Sequence, residues 1–386
     1  MPGQDPKYQQ VIDWVKENIA NGSFRGGDRL MSENEMSERF GLSRQTIRRA
    51  TGELVSQKIL TRRKGSGTYI AQNDAGTTMQ PGERALSPET AAGKRRHHNI
   101  AVISTFNESY IFPAILKGIE GVLTDHGYTM QVMFTDNRLQ REKSILELLL
   151  EKNRIDGLIV EPVESALPNP NIPLYRKLAA QGIPVLFFNA FYSELAAPCV
   201  RIDDIRAAEL ATELLLEAGH SRIGAVLKAD DGQGRLRYQG FLQAMMRAQL
   251  VPDQESILWL DTPATLHMDE YREYLFRRLQ DCTGVVCYND QIAYHLIELA
   301  LESGLNVPED LSVTGVDDSY LAGVCKVPFT SIAHPKADLG RLAAGNLIRM
   351  IDDPGFDGNA LMSVAPVPRM SIAPPRPVEA DGTVQE

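Results

Sequence analysis

The first seventy residues carry a helical rhythm of apolar positions. Tyr8, Val11, Ile12, Trp14, Val15 and Ile19 fall on one face, and Asn21-Gly22 closes the segment. Ser32 and Glu35 have capping-box spacing and predict a short helix through Phe40, which Gly41 ends. Ser43 can then cap a third helix that turns Ile47, Ala50, Leu54 and Val55 inward. Residues 59–63 and 68–71 read as strands on either side of a Lys64-Gly65-Ser66-Gly67 turn, with glycine where a positive φ is needed. Two helices joined by Gly41-Leu42-Ser43 and followed by a hairpin predict a winged helix-turn-helix.

From Asn99 onward the pattern changes. Short apolar runs recur at 100–103, 131–134, 157–160, 184–188, 223–227, 284–287 and 312–316, with helical segments between them. Uninterrupted apolar strands alternating with helices are buried on both faces, which predicts a parallel sheet with crossover helices. So many units exceed one usual sheet, so the expected fold class is α/β, two lobes side by side behind the N-terminal winged helix-turn-helix. Residues 72–98 lack periodicity, are rich in Gly, Ala, Thr, Ser and Pro, and end in Lys94-Arg95-Arg96-His97-His98. The expected division is a head over 1–71, a linker over 72–98, a two-lobed body over 99–375 and a solvated tail over 376–386.

Composition sharpens this. The chain has 386 residues, 43% hydrophobic and 23% charged, which suits two or three globular domains. The first residues lack an apolar signal core, and no apolar run approaches the ~18 residues that span a bilayer, so the expected location is cytoplasmic, with no membrane partner. Cys199, Cys282, Cys287 and Cys325 have no metal or redox spacing and read as small buried hydrophobes. The net charge of −10 hides an asymmetry: residues 1–98 hold 16 Lys and Arg against 11 Asp and Glu, and the remainder holds 24 against 39. A basic head on an acidic body predicts polyanion binding at one end only.

The chemistry of the head agrees. Ser43-Arg44-Gln45-Thr46-Ile47-Arg48-Arg49 opens the third helix with a guanine-reading Arg, an adenine-reading Gln and hydroxyls suited to phosphate. Arg62, Arg63 and Lys64 precede the hairpin glycines, where a wing reaches a groove or phosphates. These glycines are not a nucleotide loop, because the G-x-x-x-x-G-K-[ST] spacing is missing. H-E-x-x-H, G-x-S-x-G and complete G-x-G-x-x-G are also missing, so no catalytic residue, metal or cofactor is expected. Asp230-Asp231 and Asp317-Asp318 read as ordinary loop acids, since adjacent side chains diverge, and His97-His98 as a solvated linker end.

Two family resemblances rest on these motifs. Leu30-Met31-Ser32-Glu33-Asn34-Glu35, the run Phe40-Gly41-Leu42-Ser43-Arg44-Gln45-Thr46-Ile47-Arg48-Arg49-Ala50 and Gly65-Ser66-Gly67-Thr68-Tyr69-Ile70 resemble the GntR-family DNA-binding domain, with Met31 where that family often has Pro. The resemblance places contacts to double-stranded operator DNA at Asn34, Arg44, Gln45, Thr46, Arg48, Lys64, Gly65 and Gly67. Val286-Cys287-Tyr288-Asn289-Asp290-Gln291-Ile292-Ala293, Val313-Thr314-Gly315-Val316-Asp317-Asp318 and Arg237-Tyr238-Gln239-Gly240-Phe241 resemble the sugar-binding body of the LacI family, of periplasmic-binding-protein-like type 1 fold, although the long linker differs from the LacI hinge helix. This head on this body resembles the arabinose-responsive repressors of Gram-positive bacteria, a match strengthened by Ile155-Asp156-Gly157-Leu158-Ile159-Val160-Glu161-Pro162 and Lys228-Ala229-Asp230-Asp231-Gly232-Gln233-Gly234.

The resemblance implies a homodimeric transcriptional repressor of sugar-utilisation genes, released from its operator by a small sugar, L-arabinose. In such a body the ligand lies between the lobes at the C-terminal ends of the strands. Family positions point to Arg237, Asn289 and Asp317; Glu161 and Asn189 sit at strand ends, Tyr110 or Phe106 could stack on a sugar face, and His334 completes the expected set. A salt bridge between lobes is the alternative role for Arg237 and Asp317. Alternative functions are a repressor answering another pentose or hexose, or a solute-binding protein or enzyme on the same two-lobe fold.

Overall fold

Apolar side chains at helical spacing draw α1 (Gln9–Ala20), α2 (Glu33–Phe40) and α3 (Arg44–Ser56) around a small core in which Ile12, Met36, Ile47 and Leu54 are fully buried. This computed structural model describes residues 8–20, 24, 28, 30–56, 59–63, 67–70, 96–106, 110–152 and 154–376. The chain divides into two units, Met1–Ala92 and Gly93–Glu386. In the first, Ser32 and Glu35 form the expected capping box, with the Ser32 amide donating to the Glu35 carboxylate at 2.7 Å. Gly41 ends α2 in the left-handed region at φ 63°, which costs glycine nothing. The hairpin pairs β1 (Leu60–Arg63) with β2 (Gly67–Ile70) antiparallel, placing Leu60 opposite Ile70 so that both close the core.

The second unit follows from the strand pattern. Its elements run β3 (Asn99–Ser104), α4 (Phe112–Asp125), β4 (Thr129–Phe134), α5 (Leu139–Lys152), β5 (Gly157–Val160), α6 (Ile172–Ala180), β6 (Val185–Phe188), β7 (Cys199–Ile202), α7 (Asp204–Glu217), β8 (Ile223–Lys228) and α8 (Gly232–Arg247). They continue through β9 (Ile257–Leu260), α9 (Thr262–Leu266), α10 (Arg272–Leu279), β10 (Gly284–Cys287), α11 (Asp290–Glu302), β11 (Ser312–Asp317), α12 (Leu321–Val324), β12 (Thr330–Ala333), α13 (Lys336–Asp352), β13 (Ala360–Met362) and β14 (Pro366–Val367). Two six-stranded sheets result, in orders β13-β7-β6-β5-β3-β4 and β14-β12-β11-β10-β8-β9. All neighbours are parallel except β12 and β14.

The chain passes between the lobes three times: from β7 into α7, from β12 into α13, and from β13 into β14. Helices α4 and α13 meet without side chains between their backbones. A Cβ at Gly118 would lie 2.3 Å from the Ala337 carbonyl oxygen, and one at Gly340 2.1 Å from that of Ile115. No described helix is long and apolar enough to cross a membrane.

All seven apolar runs lie in strands, and five further strands, β7, β9, β12, β13 and β14, escaped the periodicity. In β12, Thr330 and Ser331 are fully buried yet polar, so no apolar run marks it; the Thr330 amide instead meets the Ser371 hydroxyl at 2.9 Å. The body also begins earlier than expected. Asp156 accepts the amides of His97 and His98 at 2.9 and 2.6 Å, and Arg96 pairs with Asp352 at 2.7 Å, so residues 96–98 belong to it. The expected linker residues 72–95 and tail residues 377–386 lie outside the described residues.

Candidate functional site

The N-terminal unit presents a helix start to solvent. Ser43 Oγ accepts the Thr46 amide at 3.2 Å and meets Thr46 Oγ1 at 2.9 Å, so both hydroxyls are organised around the first turn of α3. Asn34, Arg44, Gln45 and Arg48 are exposed and Thr46 is half-buried, while Ile47, Ala50 and Leu54 hold the opposite face in the core. Gly67 opens β2 opposite Arg63. Lys64 and Gly65 lie outside the described residues. A capped helix start with an outward Arg and Gln can enter a major groove and donate to base edges and phosphates.

The strand ends of the body converge on a buried polar cleft between its lobes, lined among others by Tyr110, Glu161, Asn189, Arg237, Asn289 and Asp317. Arg237 projects from α8 and is 3% exposed. Its Nε donates to Asp204 Oδ1 at 3.0 Å, its Nη1 to the Tyr288 carbonyl, and its Nη2 lies 3.8 Å from Asp317 Oδ1. Burial opposes the Arg237 charge, but Asp204, Tyr288 and Asp317 outweigh it and hold the group firmly cationic. Burial also pushes the Asp204 carboxyl up to about 6 against the pull of Arg237. These partners all come from the second lobe, so the pairing of Arg237 is internal to that lobe.

Glu161 follows β5, with one oxygen accepting from the Thr105 amide at 3.0 Å and hydroxyl at 2.6 Å, and the other from Asn189 Nδ2 at 2.8 Å. Burial raises its pKa despite those donors. Asn189 follows β6 at φ 63°, a conformation unusual for a side-chain-bearing residue, which turns its amide into the cleft. Its Oδ1 lies 3.3 Å from His334 Nε2, which fixes the proton on that nitrogen. Burial, then Lys336 and Arg237, lower the His334 pKa to about 3, so the ring is neutral. Its Nδ1 and the second oxygen of Asp204 are buried without partners. Of the two, His334 lines the cleft and Asp204 lies behind Arg237, so the unpaired His334 nitrogen is the acceptor that suits a hydroxyl donor of a neutral polyol.

Asn289 caps α11 by accepting the Ile292 amide at 3.1 Å. Asp317, at the end of β11, takes the Tyr110 hydroxyl from the first lobe. Tyr110, Glu161, Asn189, Arg237, Asn289, Asp317 and His334, gathered from both lobes, therefore all lie within one constellation. Phe106 lies beside them, its ring 5.9 Å from Phe112. Lys228, Gln233 and Gln291 line the same cleft and were not foreseen; the first two sit where β8 runs into α8, a position that strand periodicity could have flagged.

Asp230 and Asp231 are more than loop acids. Asp231 caps α8 and accepts Ser165 Oγ from the first lobe at 2.9 Å and the Tyr288 hydroxyl at 2.6 Å. Asp230 takes the Thr262 amide at 3.0 Å, and Thr262 Oγ1 accepts Asn137 Nδ2 across the cleft at 2.8 Å. The first-lobe side is braced by Glu142, fully buried, which accepts the hydroxyls of Tyr175 and Tyr192 at 2.6 and 2.7 Å. Tyr192 in turn receives the Val163 amide at 2.7 Å, fixing the turn that carries Ser165.

Residues 7–70 match the model of bacterial regulatory proteins of the gntR family, and residues 212–372 that of a periplasmic binding protein-like domain. An arabinose metabolism transcriptional repressor of Halalkalibacterium halodurans is 36% identical over 358 residues, 92% of each chain. One of Geobacillus stearothermophilus is 35% identical over 355 residues, 91% of this chain and 93% of that one. A LacI family transcriptional regulator from Enterococcus faecium, solved with bound ribose, aligns at TM-score 0.62 and 26% identity over 72% of this chain and 99% of its own.

Proposed function

The chain belongs to the family of GntR-headed, LacI-bodied transcriptional repressors that includes the arabinose metabolism repressors, and from that membership we propose that L-arabinose is the sugar that releases it from its operator. It is a sugar-responsive repressor and not an enzyme. The observation that carries the sugar reading is the buried cleft in which Tyr110, Arg237, Asp317 and His334, with its unpaired Nδ1, bring donors and acceptors together from both lobes. A neutral sugar can be held there only by directional hydrogen bonds and a stacking face, which Phe106 and Tyr110 offer.

In this reading a homodimer in the cytoplasm sets two winged heads on a palindromic operator. Arg44 and Gln45 read bases, Asn34, Thr46 and Arg48 hold register, and Lys64, Gly65 and Gly67 add contacts to the DNA. Sugar binds best to the lobe arrangement that does not fit DNA. Such differential affinity is what shifts a two-state equilibrium, and a 1:99 mixture needs about a 10⁴-fold preference to become 99:1.

The test is a titration of L-arabinose, D-ribose, D-xylose and D-glucose into the full chain on operator DNA, with calorimetry alongside. Release and heat with L-arabinose are expected. Neither effect at millimolar L-arabinose overturns the assignment, and release by another of these sugars moves the mechanism to that ligand.

A further inference from the structure

A second cavity, about 260 Å³, opens at the mouth of the cleft beyond Asn189 and Gln233, which line both spaces. Phe191, Ser193 and Arg201 line it from the first lobe, and Arg235, Leu236 and Gln239 from the second. No acidic side chain lines it. Several arginines of the body find carboxylates, among them Arg206 with Glu209 at 3.0 Å, Arg247 with Glu209 at 2.9 Å and Arg369 with Asp318 at 2.6 Å, but what sets this cavity apart is that two arginines without such a partner line one space. Among the described residues Arg201 and Arg235 have no ion pair. Arg201 reaches only the Ile202 carbonyl, at 3.4 Å, and stands 5.7 Å from the centre of the Phe191 ring, which is 40% exposed.

The geometry points to a second effector site here, for a small phosphorylated polyol that strengthens sugar binding. Two planar guanidiniums with no carboxylate to compete suit the oxygens of a phosphate dianion, which each can engage with paired N–H donors. Ser193 and Gln239 add neutral donors, and Phe191 with Leu236 gives a short carbon chain an apolar wall. A neutral sugar would leave both arginines unanswered, so this site takes a different chemical class from the inner cleft. Because Arg201 stands on β7 of one lobe and Arg235 on α8 of the other, an anion between them ties the lobes together. Whatever favours that arrangement raises the affinity of a sugar needing the same one, and linkage makes the effect mutual.

Glycerol 3-phosphate, with glycerol as its uncharged twin, tests the site by calorimetry on the full chain. The ester should bind and glycerol should not, and binding should persist when L-arabinose is saturating. Arg201→Gln and Arg235→Gln should each weaken the ester about tenfold or more, while operator binding without effectors is retained, which shows that the variants fold. The ester should also tighten sugar binding several-fold. Absence of heat with the ester, equal binding in the double variant, or displacement by L-arabinose overturns the site; ester binding without change in sugar affinity overturns the coupling. The ester arm read without sugar is independent of which sugar fills the inner cleft, so failure of the arabinose assignment leaves it intact.

Discussion

Tyr110 spans the cleft: its hydroxyl donates to Asp317 and accepts the Asp290 amide at 3.2 Å, so one phenol from the first lobe joins the end of β11 to the start of α11 in the second. Burial and the neighbouring Asp317 raise its pKa well above the ordinary value, which keeps the proton on the phenol and the bond donated in one direction. Tyr110→Phe keeps the ring and removes the bond. The expected result is sugar affinity lowered about fivefold to tenfold with thermal stability changed by less than about 1 kcal/mol. Calorimetry with sugar and a melting curve check it, and wild-type affinity would remove the bond from lobe closure.

Arg237→Ala should cost more than a ligand contact. It leaves Asp204 buried without its cation, a loss of about 3–5 kcal/mol in the stability of the body. The loss should depend on pH. The Asp204 pKa, about 6, lies above that of an unfolded aspartate, so the folded body binds the extra proton and loses stability as pH rises from about 4 through 6. Without Arg237 opposing burial, that pKa climbs further. The variant should therefore lie closer to wild type at pH 5 than at pH 8, which denaturation at both values will read.

On the head, Arg44→Ala should weaken operator binding by about 1–3 kcal/mol and flatten base preference, because a paired contact to guanine carries sequence information. Anisotropy titrations against the operator and single-base variants check this. An unchanged preference would leave Arg44 with phosphate alone.

Gly340→Ala tests the close crossing of α4 and α13. The added Cβ meets the Ile115 carbonyl oxygen at 2.1 Å, so the helices must separate, and about 1–3 kcal/mol of stability should be lost. Gly345→Ala, on the same helix with open space around it, should be neutral or slightly stabilising in the same denaturation series.

Much of this architecture is written locally. The helical period of the head and the seven apolar runs of the body name their elements because each carries its own burial signal, as with Gly157–Val160, buried throughout. Polar burial is not local. Asp204 and Asp290 look like ordinary acids at helix starts, yet both are fully buried. Asp290 takes the Ser319 amide at 2.6 Å and the Ser331 hydroxyl, a meeting of α11 with residues beyond β11 and in β12 that no spacing along the chain announces. Asp230 and Asp231 escaped for the same reason, since Ser165 and Thr262 are their partners only once two lobes stand opposite each other. Glu161, Asn189, Asn289, Asp317 and His334 come together because strand ends are a topological address that sequence can give, and Arg237 reaches them from inside α8.

The triple passage of the chain between lobes also governs how the protein can be made. The first lobe lacks α13 and β13 until residue 362 has been synthesised, and the second lacks β14 until residue 367. Neither can finish while the ribosome still holds the C-terminal segment, so the N-terminal lobe cannot fold to completion first, as vectorial synthesis would otherwise favour. A premature stop anywhere before Lys336 removes the helix packed on α4 and leaves two incomplete sheets rather than one intact lobe. A truncated product of this gene would thus carry an intact head in front of a body that cannot close either lobe.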